Sequence, residues 1–370
     1  MNRWLAFGAA VLGVLFLGCA LPPFDEELSL AMATAAKLEP VVRIGPIQAW
    51  HGDFEETKSF FLPLKDTPAD RRGYLLSAGD YYLRIRFLDG ASGTFQGELR
   101  LDGPAADPNR KTYTAVPLKG GTYPSLSLAV FDPAYPTNNS LLLIYPSGST
   151  LVSSAANLYG TLNPDFGSSL DRVVGVHLYP GIDPSPDRFS FFGVLSTAGH
   201  FGELEADADA SATTTGGIGT ISSPTRQDIA LPSVPAPASG AFYFHRPAAS
   251  NPSYMSKYEA STGAYRNFTW DDTLVARELE GMNRRIDALL SSGELLSLDR
   301  GVCIVYDAGG NRKFSFPMGS LHFCFERYDS GGAARLYFSL LYWIYGYHSG
   351  NDQLYINVYS LPTANLATLD

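Results

Sequence analysis

From residue 286 to residue 363 the chain repeats one pattern, a short apolar run closed by a tight polar turn, and this repetition restricts the fold more than any other feature. The largely apolar residues 286–290 give way to Ser291-Ser292-Gly293, residues 295–298 to Asp299-Arg300-Gly301, and residues 302–306 to Gly309-Gly310-Asn311. In the next run, residues 313–316, Phe314 and Phe316 alternate with polar neighbours. Runs this short, broken by glycine turns, suit strands that bury every second side chain, and four of them in succession make an up-and-down antiparallel meander. A second unit starts at once, with residues 321–328, a Gly331-Gly332 turn, residues 336–345, a polar loop at 349–352 and residues 354–359. It supplies three strands, so its outer edge calls for a partner from elsewhere.

Weaker units of about 40 to 50 residues recur upstream. Residues 74–76, 81–88 and 95–101 form one series, with strict alternation in the second run and an Asp89-Gly90 turn. Residues 126–131, 141–145 and 150–152 form another, residues 173–179 and 189–195 a third, and residues 241–245, 254–258 and 265–270 a fourth. Composition agrees: 21 tyrosines and 22 phenylalanines accompany only 17% charged residues, a balance rich in strand formers and poor in surface-helix formers. The expected class is all-β. The repeated four-strand unit resembles the blade of a β-propeller, which implies six or seven blades over residues 41–363 and a ring whose last blade is completed from the other end of the chain. Residues 41–47 or 59–64 are the strands that would supply it. The rival is a pair of tandem β-sandwich domains, to which Gly79-Asp80-Tyr81-Tyr82-Leu83 and Gly121-Thr122-Tyr123-Pro124 are suited as strand starts.

Two segments depart from the pattern. Residues 205–240, rich in Ala, Asp, Ser, Thr, Gly and Pro, read as a long loop excursion between blades. Val275, Leu279, Met282, Ile286 and Leu289 recur at helical spacing, which predicts a short helix over residues 272–283.

At the N-terminus, Arg3 precedes an apolar run from Trp4 to Gly18 of about 15 residues, too short for a membrane span of about 20 and suited to a secretory signal. Read from its residues alone, the run fits a cleaved signal with a free thiol at Cys19 or an uncleaved signal anchor. Phe16-Leu17-Gly18-Cys19 resembles the lipobox of bacterial lipoproteins in the relaxed form familiar from spirochaetes. The resemblance implies cleavage after residue 18, a diacylglyceryl thioether on Cys19, and an extracytoplasmic, lipid-anchored place in the bacterial cell envelope. Several acyl chains anchor firmly where one holds only marginally. Residues 19–40 then read as an extended tether, and residues 364–370 as a C-terminal tail.

A net charge of -10 without a long basic run excludes a nucleic-acid groove, which needs a concentrated Lys/Arg field. Of the three cysteines, Cys303 and Cys324 lie within apolar runs and read as buried thiols in preference to the alternative, a disulfide between them. No cysteine or histidine spacing suggests a metal, and no cofactor motif occurs.

The chemistry-bearing residues are dispersed. Trp50-His51-Gly52-Asp53 sets a histidine beside a carboxylate, without a nucleophile in a suitable context. Glu203, Glu205, Asp207 and Asp209 alternate, placing four carboxylates on one face of a strand, a cation attractor or a solvated acidic flank. Glu326, Asp329 and Asp352 are candidates for a glycosidase pair, whose chemistry depends on their separation. Tyr337, Tyr342, Trp343, Tyr345, Tyr347 and His348 concentrate aromatic surface, part core and part potential platform for a sugar ring or a peptide. His177, His200, His245 and His322 stand singly. The expectation is therefore a non-enzymatic binding or scaffold module with a protein or glycan partner, and the alternative is a carbohydrate-active enzyme using carboxylates at the propeller centre.

Overall fold

The computed structural model describes residues 26–48, 58–64, 71–78, 82–90, 93–102, 112–117, 126–131, 140–157, 172–179, 188–195, 198–206, 212–221, 233–236, 241–246, 254–259, 262, 264–267, 288–299, 301–329, 331–345 and 352–370. The chain opens with helix α1 (Glu26–Ala35) and strand β1 (Glu39–Gln48). Consecutive strands then fold into antiparallel meanders. The first is β2 (Lys58–Pro63), β3 (Gly73–Ala78), β4 (Tyr82–Asp89) and β5 (Thr94–Asp102). The second is β6 (Thr112–Pro117), β7 (Leu126–Phe131), β8 (Ser140–Ser147) and β9 (Thr150–Asn157). A third runs through β10 (Arg172–Tyr179), β11 (Arg188–Leu195), β12 (Ala198–Ala206) and β13 (Ala212–Ile221), and a fourth through β14 (Ser233–Ala236), β15 (Ala241–Arg246), β16 (Tyr254–Glu259) and β17 (Ala264–Asn267). These two join, where β10 and β14 lie parallel at Gly175 and Ser233, into one eight-stranded sheet, whose halves are the third and fourth sheets of the series.

The fifth meander, β18 (Ala288–Leu289), β19 (Leu295–Asp299), β20 (Val302–Tyr306) and β21 (Arg312–Pro317), follows the expected strands and turns. The last contains β22 (Leu321–Tyr328), β23 (Ala334–Ile344) and β24 (Gln353–Pro362), and its fourth strand is β1, in the order β1-β24-β23-β22. Val42 lies opposite Val358 and Ile44 opposite Ile356, so the expected pairing of residues 41–47 with 354–359 is present. Residues 59–64, the other candidate for that role, belong instead to β2 and pair with β3. β1 carries Pro40 and Pro46, residues that cannot donate to a ladder, and it bonds only to β24. Prolines are tolerated there because a sheet's outer strand needs donors on one side alone.

Within the sheets, neighbouring strands are consecutive in sequence except at β1–β24 and at β10–β14, whereas sandwich topology sends strands across to a second sheet through Greek-key connections. The first strands approach one another in succession: β22 meets β2, β2 meets β6, β6 meets β10, β10 meets β14 and β14 meets β18. Side chains join several neighbouring sheets. Tyr74 Oη on β3 donates to the Ile144 carbonyl on β8 at 3.2 Å, and Tyr243 Oη on β15 donates to the Ala308 carbonyl after β20 at 3.3 Å. The Phe61 N–H on β2 donates to Ser339 Oγ on β23 at 3.1 Å.

The last sheet is buried on both faces, as the alternation of β23 requires. Leu336, Phe338 and Leu340 enter one cluster with Leu296, Val305, Phe314 and Phe316 of the fifth sheet. Ser339, one position out of phase, turns to β2. Full burial of such apolar side chains contributes about 1.5–3 kcal/mol each, which makes this contact between sheets a principal source of stability.

Three expectations are corrected. Residues 19–40 are not an extended tether throughout, because residues 26–35 form α1, docked through Ala31, Thr34 and Ala35. Thr34 Oγ1 donates to the Pro317 carbonyl at 2.6 Å, and Ser320 N–H to the Glu27 carbonyl at 3.2 Å. The composition of α1 is that of a helix, with Glu26 and Glu27 at the positive end of its dipole and Leu, Met and Ala beyond. Its close approach depends on Gly319, at φ +53, where a Cβ would overlap the Glu27 carbonyl oxygen and lie 2.9 Å from Ala31 N. Residues 364–370 are not a free tail: Thr363–Leu369 forms a 3-10 segment that sinks Leu366 and Leu369 into the same cluster as α1. Lys37 Nζ donates to the carbonyls of Leu369 and Asp370, tying the α1–β1 link to this segment. Within residues 205–240 the loop is interrupted by the end of β12, by β13 and by β14. The β-branched residues Thr213, Thr214, Thr215, Ile218, Thr220 and Ile221 supply strand preference that Gly and Ala had masked. The helix expected over 272–283 lies outside the described residues.

Candidate functional site

The densest polar constellation among the described residues sits where β22, the β18–β19 turn and the C-terminal segment meet. Its centre is Glu326, only 6% exposed. Ser291 N–H donates to Glu326 Oε2 at 2.7 Å, Ser291 Oγ to Oε1 at 2.7 Å, and Thr363 Oγ1 to the same oxygen at 2.8 Å. Burial pushes the carboxyl above its ordinary range, the Ser291 and Thr363 hydrogen bonds pull it back in part, and the charge of Glu294 adds to the rise. Glu294 is itself paired with Lys313 Nζ and accepts from Ser292 Oγ at 3.0 Å. A buried acid that favours its proton beside a cation-paired carboxylate is an arrangement from which acid chemistry can be built. Here both oxygens of Glu326 are engaged by donors from sequence-distant segments, so the group fastens the fifth sheet, the last sheet and the C-terminus to one another.

Among the described residues, the remaining expected acids do not join Glu326 in this constellation. Asp329 Oδ1 accepts from the N–H groups of Gly331 at 2.9 Å and Ala333 at 3.0 Å, shaping the β22–β23 turn, and Asp352 is buried just before β24. Glu203 and Glu205 occupy alternate positions in β12, whereas Asp207 and Asp209 lie outside the described residues. The same is true of Trp50, His51, Gly52 and Asp53, of Tyr347 and His348, and of Cys19 with the run before it. His177, His200, His245 and His322 fall on β10, β12, β15 and β22. Among the described residues, no three His, Cys, Asp or Glu side chains gather as a metal site would need, and no helix is long and apolar enough to cross a membrane.

Neither Cys303 nor Cys324 is in a disulfide. Cys303 is buried in the cluster between the last two sheets. Cys324 sits at the irregularity between Phe323 and Phe325 in β22, and its Sγ approaches the Phe61 carbonyl at 3.5 Å. Burial pushes its thiol up to about 12, against a smaller downward pull from hydrogen bonding with Ser339. This cysteine is part of the seam between β22 and β2.

The aromatic residues of β23 divide by face and depth. Tyr337 is buried and stacks on Phe325 at 4.9 Å, and the Arg327 guanidinium lies over the Phe325 ring at 5.1 Å. Tyr342 stacks on Tyr355 across the ladder, with ring centroids 5.2 Å apart and planes 6° apart. Beyond them Ile344 and Tyr345 are 51% and 63% exposed, forming an apolar rim where β23 ends. Such a rim can receive a ring or an apolar side chain.

Reasoning from the sequence missed Ser291, Glu294, Lys313, Ser339 and Thr363. Ser291 and Thr363 stand 35 and 37 positions from Glu326, and no local pattern reports a bond across that distance.

No family model and no curated protein sequence matches the chain. Among solved structures it is similar to the Dos1 propeller, at 12% identity and a TM-score of 0.33, over 80% of this chain and 70% of that one. It is also similar to the calcium-binding protein regucalcin from Agrobacterium tumefaciens, at 13% identity and a TM-score of 0.34, over 86% and 93%. A third is TolB from Acinetobacter baumannii, at 10% identity and a TM-score of 0.29, over 76% and 77%. At TM-scores this low, the chain's own strand pairing carries the fold.

Proposed function

We propose that the chain is a lipid-anchored, six-bladed β-propeller of the bacterial envelope, serving as a non-enzymatic binding or scaffold module for a protein or glycan partner. The observation behind the blade count is the succession of first-strand approaches from β22 through β2, β6, β10 and β14 to β18, with β1 supplying the outer strand of the last sheet. Ser291 and Glu326 bridge the remaining step, from the fifth sheet to the last. Closing a ring in this way covers the free edge of β24 and leaves outer edges such as that of β1, whose prolines discourage association. A binding role is favoured because two of the candidate acids serve the fold: Glu326 accepts three hydrogen bonds and Asp329 shapes a turn. The anchor rests on the lipobox-like residues ending at Cys19.

Metabolic labelling with radioactive palmitate tests the anchor. Wild-type protein takes up label and Cys19→Ala does not; persistent label in the variant removes the anchor from the proposal. The non-enzymatic reading fails if the purified protein cleaves a glycan or glycoside and loses that activity in both Glu294→Gln and Glu326→Gln.

A further inference from the structure

We propose that the outward face of α1 rests on the surface of an uncharged, zwitterionic lipid bilayer, so that the anchored module is held in one orientation. This inference depends on lipidation of Cys19. Helix α1 buries Ala31, Thr34 and Ala35 and leaves Ser29, Leu30, Met32 and Ala33 outward, with Ala36 just beyond. Residues 28–36 contain no charged side chain, and Leu30 and Met32 are 39% and 45% exposed. A surface helix of a globular protein ordinarily carries charged or polar residues on that side.

The position of the anchor identifies the occupant. Seven residue steps separate Cys19 from Glu26, and at about 3.3–3.6 Å per residue the chain spans at most about 25 Å between them. The start of α1 is therefore kept within that distance of the bilayer by covalent geometry alone. At its other end α1 is fixed to the body through Lys37 and the C-terminal carbonyls, so it cannot be drawn out to lengthen the reach without breaking those contacts. Apolar side chains on a helix lying flat settle at the boundary between headgroups and acyl chains. Glu26, Glu27 and the net charge of -10 oppose an anionic surface, which is why the lipid is zwitterionic.

The test uses lipidated protein in phosphatidylcholine vesicles. An environment-sensitive fluorophore is attached at Ala33→Cys, and at Ser149→Cys in the exposed β8–β9 turn as the comparison. Brominated phosphatidylcholine is expected to quench the probe at position 33 by about half and to leave the probe at 149 nearly unchanged, since quenching requires contact with the acyl region. In the background of Leu30→Glu with Met32→Glu the quenching at 33 falls several-fold while the protein still floats with the vesicles. No quenching at 33 in protein that floats overturns the docking and leaves the anchor standing. A probe at 33 that is shielded from water yet not quenched by brominated lipid means that protein, a partner or a second copy, covers the face, and also overturns it. Wild-type protein that does not float overturns the anchor itself.

Discussion

Replacing Glu326 by alanine removes an acceptor that three donors share, and the loss can be estimated donor by donor. The Thr363 hydroxyl is buried at 4% exposure and has Glu326 Oε1 as its acceptor, so leaving it unmatched costs about 1–3 kcal/mol. Ser291 is exposed, so its N–H and hydroxyl regain water, and the net loss for each is about 0.5–1.5 kcal/mol. Relief of the buried carboxylate offsets part of this, and Glu326→Ala is expected to lower unfolding free energy by about 2–4 kcal/mol. Glutamine should cost less, since its carbonyl can accept from Ser291 N–H while its amide donates to the two hydroxyls. The pH dependence supplies an independent test. Burial raises the folded-state pKa of Glu326 above its unfolded value, so the folded state binds the proton more tightly. Its stabilisation is therefore complete below the ordinary glutamate pKa and is lost as pH rises through the raised value. Urea unfolding of wild type and Glu326→Gln from pH 4 to pH 8 should show wild type losing stability relative to the variant as pH increases. Carboxypeptidase should also release residues 363–370 faster from Glu326→Ala. A wild-type-like midpoint for the alanine variant, or a wild-type-to-glutamine difference that does not change with pH, would refute the reasoning.

Ile44→Ala, in the strand that completes the last sheet, removes a side chain 5% exposed and should cost about 2–4 kcal/mol in urea unfolding; a loss below about 1 kcal/mol would mean that β1 is not packed as described. Gly319→Ala combines a left-handed φ of +53 with overlap on the Glu27 carbonyl, and is expected to speed amide exchange throughout α1 at a cost of about 2 kcal/mol or more; unchanged exchange would contradict the close approach. The half-buried thiol of Cys324, pushed up to about 12, should alkylate slowly in native protein at pH 8 and faster in urea, and native labelling as fast as in urea would be inconsistent with the raised thiol.

Strand content and turn positions were legible because both are local. Ser291-Ser292-Gly293, the glycine at 301 and Gly309-Gly310-Asn311 mark the three turns of the fifth sheet, and the apolar runs between them became β18 to β21. The same reasoning found the three strands of the last sheet and inferred the missing fourth from its unpaired edge. It failed over residues 205–240, where low complexity hid threonines suited to strands, and over residues 26–35, where the run of Leu, Met and Ala is short and Thr34 finds its partner, Pro317, 283 positions away.

The candidate site was legible only as a set of residue types. Glu326, Asp329 and Asp352 stood out as acids, but their uses depend on what lies within about 3 Å in space, the range of a hydrogen bond. Folding brings Ser291 and Thr363 to Glu326, and Phe61 of β2 to Ser339 and Cys324 of the last sheet, across 263 to 278 positions in the second case. By itself the sequence determined the period of the strands and the places where the chain reverses, since each depends on residues a few positions apart. Only the tertiary structure decided which strand completes the last sheet, that α1 and the C-terminal segment pack into the cluster between the last two sheets, and that Glu326 is a buried fastening. The physical reason is that burial and hydrogen-bond partnership are properties of neighbours in space, and strand pairing makes neighbours of residues that the chain keeps far apart.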